Sequence, residues 1–184
     1  MRAAGEDVIS FGAGEPDFPT PEHVVAAAAE AVNDPKNHHY TAAAGLAELR
    51  EAVAADAGRY SGVDVAPNQV VITNGGKQAV YAAMAALLDP GDEALLPTPY
   101  WVTYPEVVRM MGARGVDVPT TIDQGVKVTP DQLEEYRTDA TKLLLFVSPS
   151  NPTGAVYDAD EVIAIVRWAA EHGIWVLTDE IYQR

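Results

Sequence analysis

The hydrophobic pattern from residue 69 onward alternates between short apolar runs and longer stretches in which apolar residues recur at helical spacing. Runs of the first kind predict strands, and stretches of the second kind predict helices. Regular alternation of the two is typical of an α/β fold, in which helices cover a mostly parallel sheet. The predicted strands are 69–73, 92–96, 114–118, 142–147 and 174–178, and the predicted helices are 77–88, 104–112 and 158–172.

Two of these runs, KLLLFV at 142–147 and IWVL at 174–177, are continuously apolar rather than alternating. A strand that is buried on both faces has this pattern, because neither side of the sheet meets water. We therefore expect both runs to form central strands.

Two further helices are predicted before residue 69. The first is an Ala-rich stretch at 22–33, whose start is marked by Thr20 and Pro21. The second is the amphipathic stretch at 46–60. The sequence FGAGEPDFPTP at 11–21 is rich in Gly and Pro, which predicts an irregular segment ahead of the first helix.

Composition places the 184-residue chain among ordinary globular proteins, with 48% hydrophobic and 21% charged residues. Twelve Lys and Arg against 27 Asp and Glu give a net charge of -15, so we expect no nucleic-acid partner. The absence of cysteine excludes disulfides, thiolate metal sites and thiol nucleophiles. No run reaches the roughly 18 apolar residues of a membrane span. We expect a soluble, cytoplasmic protein with one sizeable domain, or with one domain and a piece of another.

A glycine-rich turn, in the sequence VVITNGGKQAVYAAM, lies between a predicted strand and a predicted helix. A nucleotide P-loop would place Ser or Thr after the lysine and Gly five residues before Gly76, where Gln78 and Val71 stand. A dinucleotide fingerprint fails too, because GAGEPD has Asp17 where the third glycine belongs. The free N–H groups of a first helical turn, together with Lys77, still suit a single phosphate. The alternative is a tight turn that carries a surface lysine.

Polar and aromatic residues follow three of the predicted strands. Because the carboxyl ends of parallel strands meet at one edge of a sheet, we expect these residues beside the Gly-Gly-Lys turn. Singly, each has an ordinary explanation, such as core packing, a turn or a helix cap. Together they describe a pocket for a flat, phosphorylated ring that contains nitrogen, and pyridoxal phosphate is such a molecule. The residues are Trp101 in TPYW, Asn151 in NPTG, and Asp179 and Tyr182 after IWVLT.

An ordered set of segments carries a resemblance to a known family. The segments are FGAGEPDFPTP, YTAAAGLAELREAVA, TNGGKQAVYAAMAALLDPGDE, PYWVTYPE, VSPSNPTGAVY and LTDEIY. From about residue 8 to its last residue the chain closely resembles the fold-type-I, class I aminotransferases, especially the bacterial aspartate aminotransferase group. The resemblance implies a three-layer α/β large domain at 21–184, incomplete and truncated before its last strands. It also implies that the segment 1–20 contributes to the small domain.

The resemblance implies a role for each site residue around the cofactor pyridoxal 5'-phosphate. Gly76 and Lys77 match the positions at its phosphate, and Trp101 matches the residue that stacks on its pyridine ring and borders the substrate. Asn151 and Asp179 match the residues at the phenolic oxygen and at the ring nitrogen, respectively. Asp179 would act as the electronic partner of that nitrogen, because a nearby anion favours its protonated form.

Three further residues are matched by the resemblance. Tyr182 joins Asn151 at the phenolic oxygen, and Asn151 also borders the substrate. Gly14 matches a glycine whose backbone faces the substrate carboxylate, and Tyr40 matches a tyrosine that reaches the phosphate of the neighbouring subunit. The resemblance therefore implies a homodimer with shared active sites. No metal-ligand set is recognised in the sequence.

The resemblance also implies residues that this sequence does not contain. In the family, a lysine forms a Schiff base with the cofactor and then acts as general base, and its segment would lie beyond Arg184. Lys77 matches a phosphate position and is a poor substitute. We therefore expect the chain to be the amino-terminal part of an aminotransferase, inactive by itself and poorly soluble because a sheet edge stays unpaired.

The function implied for the whole protein is exchange of an amino group between an amino acid, aspartate or a similar one, and a 2-oxo acid. Two alternatives stay open at this stage. One is a non-catalytic, aminotransferase-like module that binds the cofactor, and the other is a lyase or synthase of the same fold.

Overall fold

The computed structural model describes residues 5, 7, 9, 14 and 16–183. Much of the predicted segment 1–20, including Gly12 and Ala13 of FGAGEPDFPTP, lies outside the described residues. The chain divides into two compact units, one up to Val70 and one from Val71 onward. The predicted division into 1–20 and 21–184 stays a prediction.

The described residues of the amino-terminal unit form two α-helices, both where the sequence predicts them. The second helix ends at Gly62, whose φ of 71° is the left-handed conformation that favours glycine at a helix end. Arg50 ties this helix to the end of the unit, because its Nε donates a hydrogen bond to the Val70 carbonyl oxygen at 2.9 Å. The helices are α1, Glu22–Asn33, and α2, Ala47–Ser61, and short 3-10 helices span Pro35–His38 and Pro67–Gln69.

The second unit is built on four parallel strands in the order β2-β1-β3-β4. Parallel neighbours need a crossover, and here a helix follows each of the first three strands in the chain. The strands are β1, Glu93–Thr98, β2, Arg114–Pro119, β3, Thr141–Val147, and β4, Trp175–Asp179. The helices are α3, Gly76–Leu87, α4, Thr103–Met110, α5, Pro130–Tyr136, and α6, Ala159–Glu171, and a 3-10 helix spans Ile122–Gln124.

A hydrophobic core lies on each face of this sheet. Alternate residues of β3 divide between the two faces, with Leu143 and Leu145 in one core and Leu144 and Phe146 in the other. The first core packs against α3 and α4, and the second packs against α5 and α6. The predicted three-layer α/β fold is therefore confirmed, and KLLLFV forms a central strand as expected.

One strand prediction is wrong, and another strand differs in its position. The segment 69–73 is extended at Val70 but is not a strand, because no neighbouring strand among the described residues forms a ladder with it. Most of the run IWVL lies in β4, which is at the edge of the four-stranded sheet rather than at its centre, and its Trp175 is 62% exposed. This unpaired edge is the one expected of a sheet truncated before its last strands. An apolar run indicates that its segment tends to be buried. A central strand also needs a neighbouring strand on each side.

Helix α5 is an element that the pattern of apolar residues does not predict. Its start carries a capping box, in which the Thr129 hydroxyl accepts a hydrogen bond from the Gln132 N–H and the Gln132 side chain accepts one from the Thr129 N–H. Pro130 occupies the first helical position. Seven residues are too few to show helical periodicity, so this cap was the available signal in the sequence.

At the amino end of β1, a buried carboxylate accepts hydrogen bonds from polar side chains near the starts of β2 and β3. Glu93 is 6% exposed, and its Oε1 accepts hydrogen bonds from the Arg114 guanidinium at the start of β2. Its Oε2 accepts one from the Thr138 hydroxyl at 2.8 Å, just before β3. Burial raises the pKa of Glu93, but the bonds from Arg114 and Thr138 outweigh it and hold that pKa below its ordinary value.

We expect Glu93→Gln to lower the free energy of unfolding by about 1–3 kcal/mol, because an amide cannot satisfy the same donors in a buried place. A lowered pKa means that the carboxylate stabilises the fold above the ordinary glutamate pKa and stops doing so as the pH falls through its folded value. Denaturant unfolding at several pH values should therefore show the difference at pH 7 and its disappearance in acid. Glu106→Gln is the control, since Glu106 pairs with Arg109 on the surface and we expect no measurable loss.

Candidate functional site

The amino end of α3 offers unpaired N–H groups in open space. Within the described residues, the N–H groups of Gly76, Lys77 and Gln78 make no hydrogen bond, as expected for a first helical turn. Gly75, the residue before the helix, has φ 83° and ψ 169°, and no atom lies within 4 Å of where its Cβ would stand. Free backbone donors and the positive end of the helix dipole therefore lie beside a glycine backbone that carries no side chain of its own.

Lys77 brings a cation to the same place. Its Nζ lies 5.2 Å from the centre of the Trp101 ring, which is a cation–π distance. Trp101 stands in the loop after β1, and it packs partly against the core on this face of the sheet. The helix start and the aromatic ring are thus direct neighbours.

Lys77 and Trp101 begin a row of neighbouring side chains. Tyr104, in the first turn of α4, continues this row on the other side of Trp101. The two rings meet edge to face, with centres 5.5 Å apart and planes at 84°. Edge-to-face packing of this kind is a favourable arrangement of aromatic rings. Tyr104 is 1% exposed, so its ring is a fixed part of the core.

The row ends at Asp179, the last residue of β4. Its Oδ2 accepts a hydrogen bond from the Tyr104 hydroxyl at 2.7 Å, and its Oδ1 accepts one from the Ile181 N–H at 3.2 Å. Burial raises the pKa of Tyr104 above its ordinary value, and the hydrogen bond to Asp179 raises that pKa further. The phenol therefore stays a proton donor to the carboxylate throughout the ordinary pH range.

A second tyrosine in the same loop makes a comparable bond in another direction. Tyr100 donates to Asp117 Oδ1 on β2 at 2.8 Å. Burial and this hydrogen bond raise the pKa of Tyr100 to about 12. Tyr100 and Tyr104 therefore donate to carboxylates on different strands, Asp117 on β2 and Asp179 on β4.

Two further predicted site residues lie in the second unit. Asn151 follows β3 and lines a small cavity with Thr98 and Ser150. Tyr182 is 51% exposed and lies close enough to Tyr104 to contribute to the raised pKa of that phenol. Gly14 and Tyr40 belong to the amino-terminal unit, where both are exposed and no atom lies within 4 Å of a Cβ at Gly14.

The structure thus brings Lys77, Trp101 and Asp179 together, as the strand-end argument predicts, and adds Tyr104, for which the sequence analysis predicts no role. One local signal existed, since Trp101 and Tyr104 are three residues apart at the start of a predicted helix. Nothing local pointed to the bond with Asp179, which lies 75 residues further along the chain.

The lysines other than Lys77 lie away from the row or are paired. Lys36 forms an ion pair with Asp34 at 2.9 Å, and Lys127 forms one with Glu161 at 2.7 Å. In the described part of the chain, no group of three or more His, Asp or Glu side chains is placed to hold a metal ion. No helix formed by the described residues has the length and apolar character needed to cross a membrane.

The sequence matches the family described as "Aminotransferase class I and II" over residues 6–184. It is 59% identical over 183 residues to a protein of Streptomyces avermitilis named "Aspartate aminotransferase", in an alignment that covers all of this chain and 45% of that protein. It is 55% identical over 181 residues to a "Probable aspartate aminotransferase" of Streptomyces griseus, with 98% of this chain and 84% of that protein covered.

The fold has a close counterpart among solved structures. A double mutant of Thermus thermophilus aspartate aminotransferase superposes with a TM-score of 0.94 at 44% identity, covering 98% of this chain and 47% of that one. The chain therefore spans about half the length of that structure and of the Streptomyces avermitilis protein, and most of the length of the Streptomyces griseus protein.

Proposed function

The chain belongs to the aminotransferase class I and II family, and from this premise we propose that its residues form the cofactor-binding face of a pyridoxal-phosphate-dependent aminotransferase. The observation that carries the proposal is the unbroken row from the start of α3 through Lys77, Trp101 and Tyr104 to Asp179. An anion-binding end, an aromatic ring and a carboxylate follow one another in that order.

Each part of this row suits one chemical group of the cofactor. The free N–H groups of Gly76, Lys77 and Gln78 suit a phosphate, and the open space at Gly75 and Gly76 lets it approach the backbone. The Trp101 ring offers a flat surface for stacking, and Asp179 offers a negative charge to a ring nitrogen. When bound, pyridoxal phosphate supplies an electron sink for the bonds at the α-carbon of an amino acid.

In the proposed reaction, each of these protein groups either binds the cofactor or stabilises a charge on it. Gly76 and Lys77 hold the phosphate, and Trp101 keeps the ring plane fixed and excludes water from one of its faces. Asp179 holds a proton on the ring nitrogen, which strengthens the electron sink. We assign Asn151 and Tyr182 to the phenolic oxygen, with Asn151 and Gly14 also bordering the substrate, and Tyr40 to the neighbouring subunit's phosphate in a homodimer.

The proposed substrates are an amino acid donor and a 2-oxo acid acceptor, with aspartate as the first donor to test. The names of the Streptomyces relatives support this choice. The whole reading frame that encodes this sequence should be expressed and assayed for amino transfer from aspartate to 2-oxoglutarate. Consumption of the 2-oxo acid and of aspartate in roughly equal amounts supports transamination. Consumption of the amino acid alone would indicate a lyase or synthase, and binding without turnover would indicate a non-catalytic module.

We expect Lys77→Ala to weaken binding of pyridoxamine 5'-phosphate about fivefold, because one exposed charge near a phosphate is worth roughly 1 kcal/mol. Pyridoxamine 5'-phosphate has no aldehyde and therefore binds without a covalent bond to any lysine. Fluorescence titration measures the affinity. The loss should shrink as salt is added, since the contact is electrostatic.

Lys142→Ala is the matched control for Lys77→Ala. Lys142 is exposed near the amino end of β3, at the opposite end of the strand from Val147 and Asn151. Removing it changes the net charge by the same amount without touching the row. Equal weakening by the two variants would mean that overall charge, rather than a phosphate contact at Lys77, governs the affinity.

A further inference from the structure

Tyr104 contacts both of the groups that face a ring in the proposed function. Its hydroxyl donates to Asp179 Oδ2 at 2.7 Å, and its ring meets Trp101 edge to face at 5.5 Å. The side chain is 1% exposed and belongs to the core beside Val108 and Leu145. One rigid, buried residue therefore contacts both the Trp101 ring and the Asp179 carboxylate.

The hydrogen bonds at Asp179 fix its orientation. Oδ2 accepts from Tyr104 and Oδ1 accepts from the Ile181 N–H, so each carboxylate oxygen has its own donor. A carboxylate held at both oxygens cannot rotate about its Cβ–Cγ bond without losing a bond to one of them. Ile181 donates through its backbone N–H, so among the described residues Tyr104 is the one whose side chain donates to the carboxylate.

We infer that Tyr104 is a positioning residue, which holds the Asp179 carboxylate and the Trp101 ring in one fixed arrangement for a planar, nitrogen-containing ring. This inference rests on the proposed function, since it takes Asp179 and Trp101 as the groups that contact that ring. Tyr104 itself acts through these two residues.

Two substitutions separate the two contacts of Tyr104. Tyr104→Phe keeps the ring against Trp101 and removes the hydroxyl that bonds to Asp179. Tyr104→Leu removes the aromatic edge as well. Tyr100→Phe is the matched control, because it breaks a tyrosine–carboxylate bond of nearly the same length, to Asp117, in the loop just before α4. Thermal melts of all variants establish that each is folded before binding is measured.

The probe is pyridoxamine 5'-phosphate, titrated into each variant and followed by fluorescence and by the circular dichroism induced in its own absorption band. We expect Tyr104→Phe to weaken binding about three- to tenfold and to lower the induced signal per bound ligand, since the ring is less firmly oriented. Tyr104→Leu should have a larger effect on both, and Tyr100→Phe should match the wild type in both.

A double-mutant cycle tests whether the hydroxyl acts through Asp179. In an Asp179→Ala background, the hydroxyl of Tyr104 has no carboxylate to hold. We therefore expect Tyr104→Phe to change the affinity by less than about twofold there, although it changes the affinity in the wild-type background. A merely structural role of Tyr104 would produce the same loss in both backgrounds.

The outcomes distinguish this inference from the proposed function. If the wild-type protein does not bind the probe, both are overturned. If binding depends on Asp179 but Tyr104→Phe leaves affinity and induced signal unchanged, the positioning role is overturned and the proposed function stands. The positioning role is also overturned if Tyr100→Phe and Tyr104→Phe weaken binding equally, because the effect would not depend on Asp179.

Discussion

Replacing Asp179 by asparagine is expected to slow amino transfer by on the order of a hundred- to a thousandfold, the range typical of losing one preorganised electrostatic contact. The amide keeps the size of the side chain and still offers an oxygen to Tyr104. It removes the negative charge, so the ring nitrogen of the cofactor loses the partner that keeps it protonated. The rate is measured with aspartate and 2-oxoglutarate on the protein expressed from its whole reading frame.

The same substitution should affect binding less than chemistry. We expect the affinity for pyridoxamine 5'-phosphate to fall by about tenfold at most, because the phosphate and the stacking contacts remain. Asp117→Asn is the matched control, since Asp117 also accepts a tyrosine hydrogen bond at a strand but lies on β2, away from the row. A rate near that of the wild type in Asp179→Asn would remove Asp179 from the proposed chemistry.

The second large effect is expected at Gly75 rather than at Gly76. Gly75 has φ 83° and ψ 169°, a backbone region that is almost restricted to glycine. Alanine there would be strained by about 1–3 kcal/mol, so the turn should rearrange and move the N–H groups away from a phosphate. We expect Gly75→Ala to weaken binding of pyridoxamine 5'-phosphate about ten- to a hundredfold in a fluorescence titration.

The control for Gly75→Ala is Gly173→Ala, which also places alanine at a positive φ, here 65°, with no atom within 4 Å of the added Cβ. Gly173 lies between α6 and β4, at the opposite end of β4 from Asp179. We expect about 1 kcal/mol of lost stability there and an unchanged affinity. If both alanine variants bind the probe like the wild type, the conformation of Gly75 is not what shapes the site.

The sequence best predicts those strands and helices whose burial is determined by their own residues. KLLLFV lies in β3 as expected, because its five consecutive apolar residues, LLLFV, specify both strand and burial. IWVL has the same character, yet β4 lies at the sheet edge. Whether a strand has a second neighbour depends on other parts of the sheet, which its own residues do not encode. For the same reason the segment 69–73 looks like a strand in sequence and pairs with none among the described residues.

The site shows the same division between local and long-range information. Spacing and glycine content indicate an anion site before Lys77, and strand order brings Trp101 and Asp179 to the same edge. The sequence alone does not say that Gly75 carries the unusual backbone angles, or that the buried Tyr104 joins Trp101 to Asp179. Those facts depend on contacts between segments far apart in the chain, which periodicity does not report.

Glu93, which bonds to Arg114 and Thr138, lies at the start of β1, and Trp101 follows the end of the same strand. A strand of six residues spans about 17–20 Å, well beyond the roughly 7–10 Å within which substitutions influence one another's energies. Changes at the two ends should therefore be additive. A laboratory that evolves the row toward a new substrate can expect to lose stability in doing so, and it can recover that stability by improving the hydrogen bonds around Glu93 without altering the new specificity.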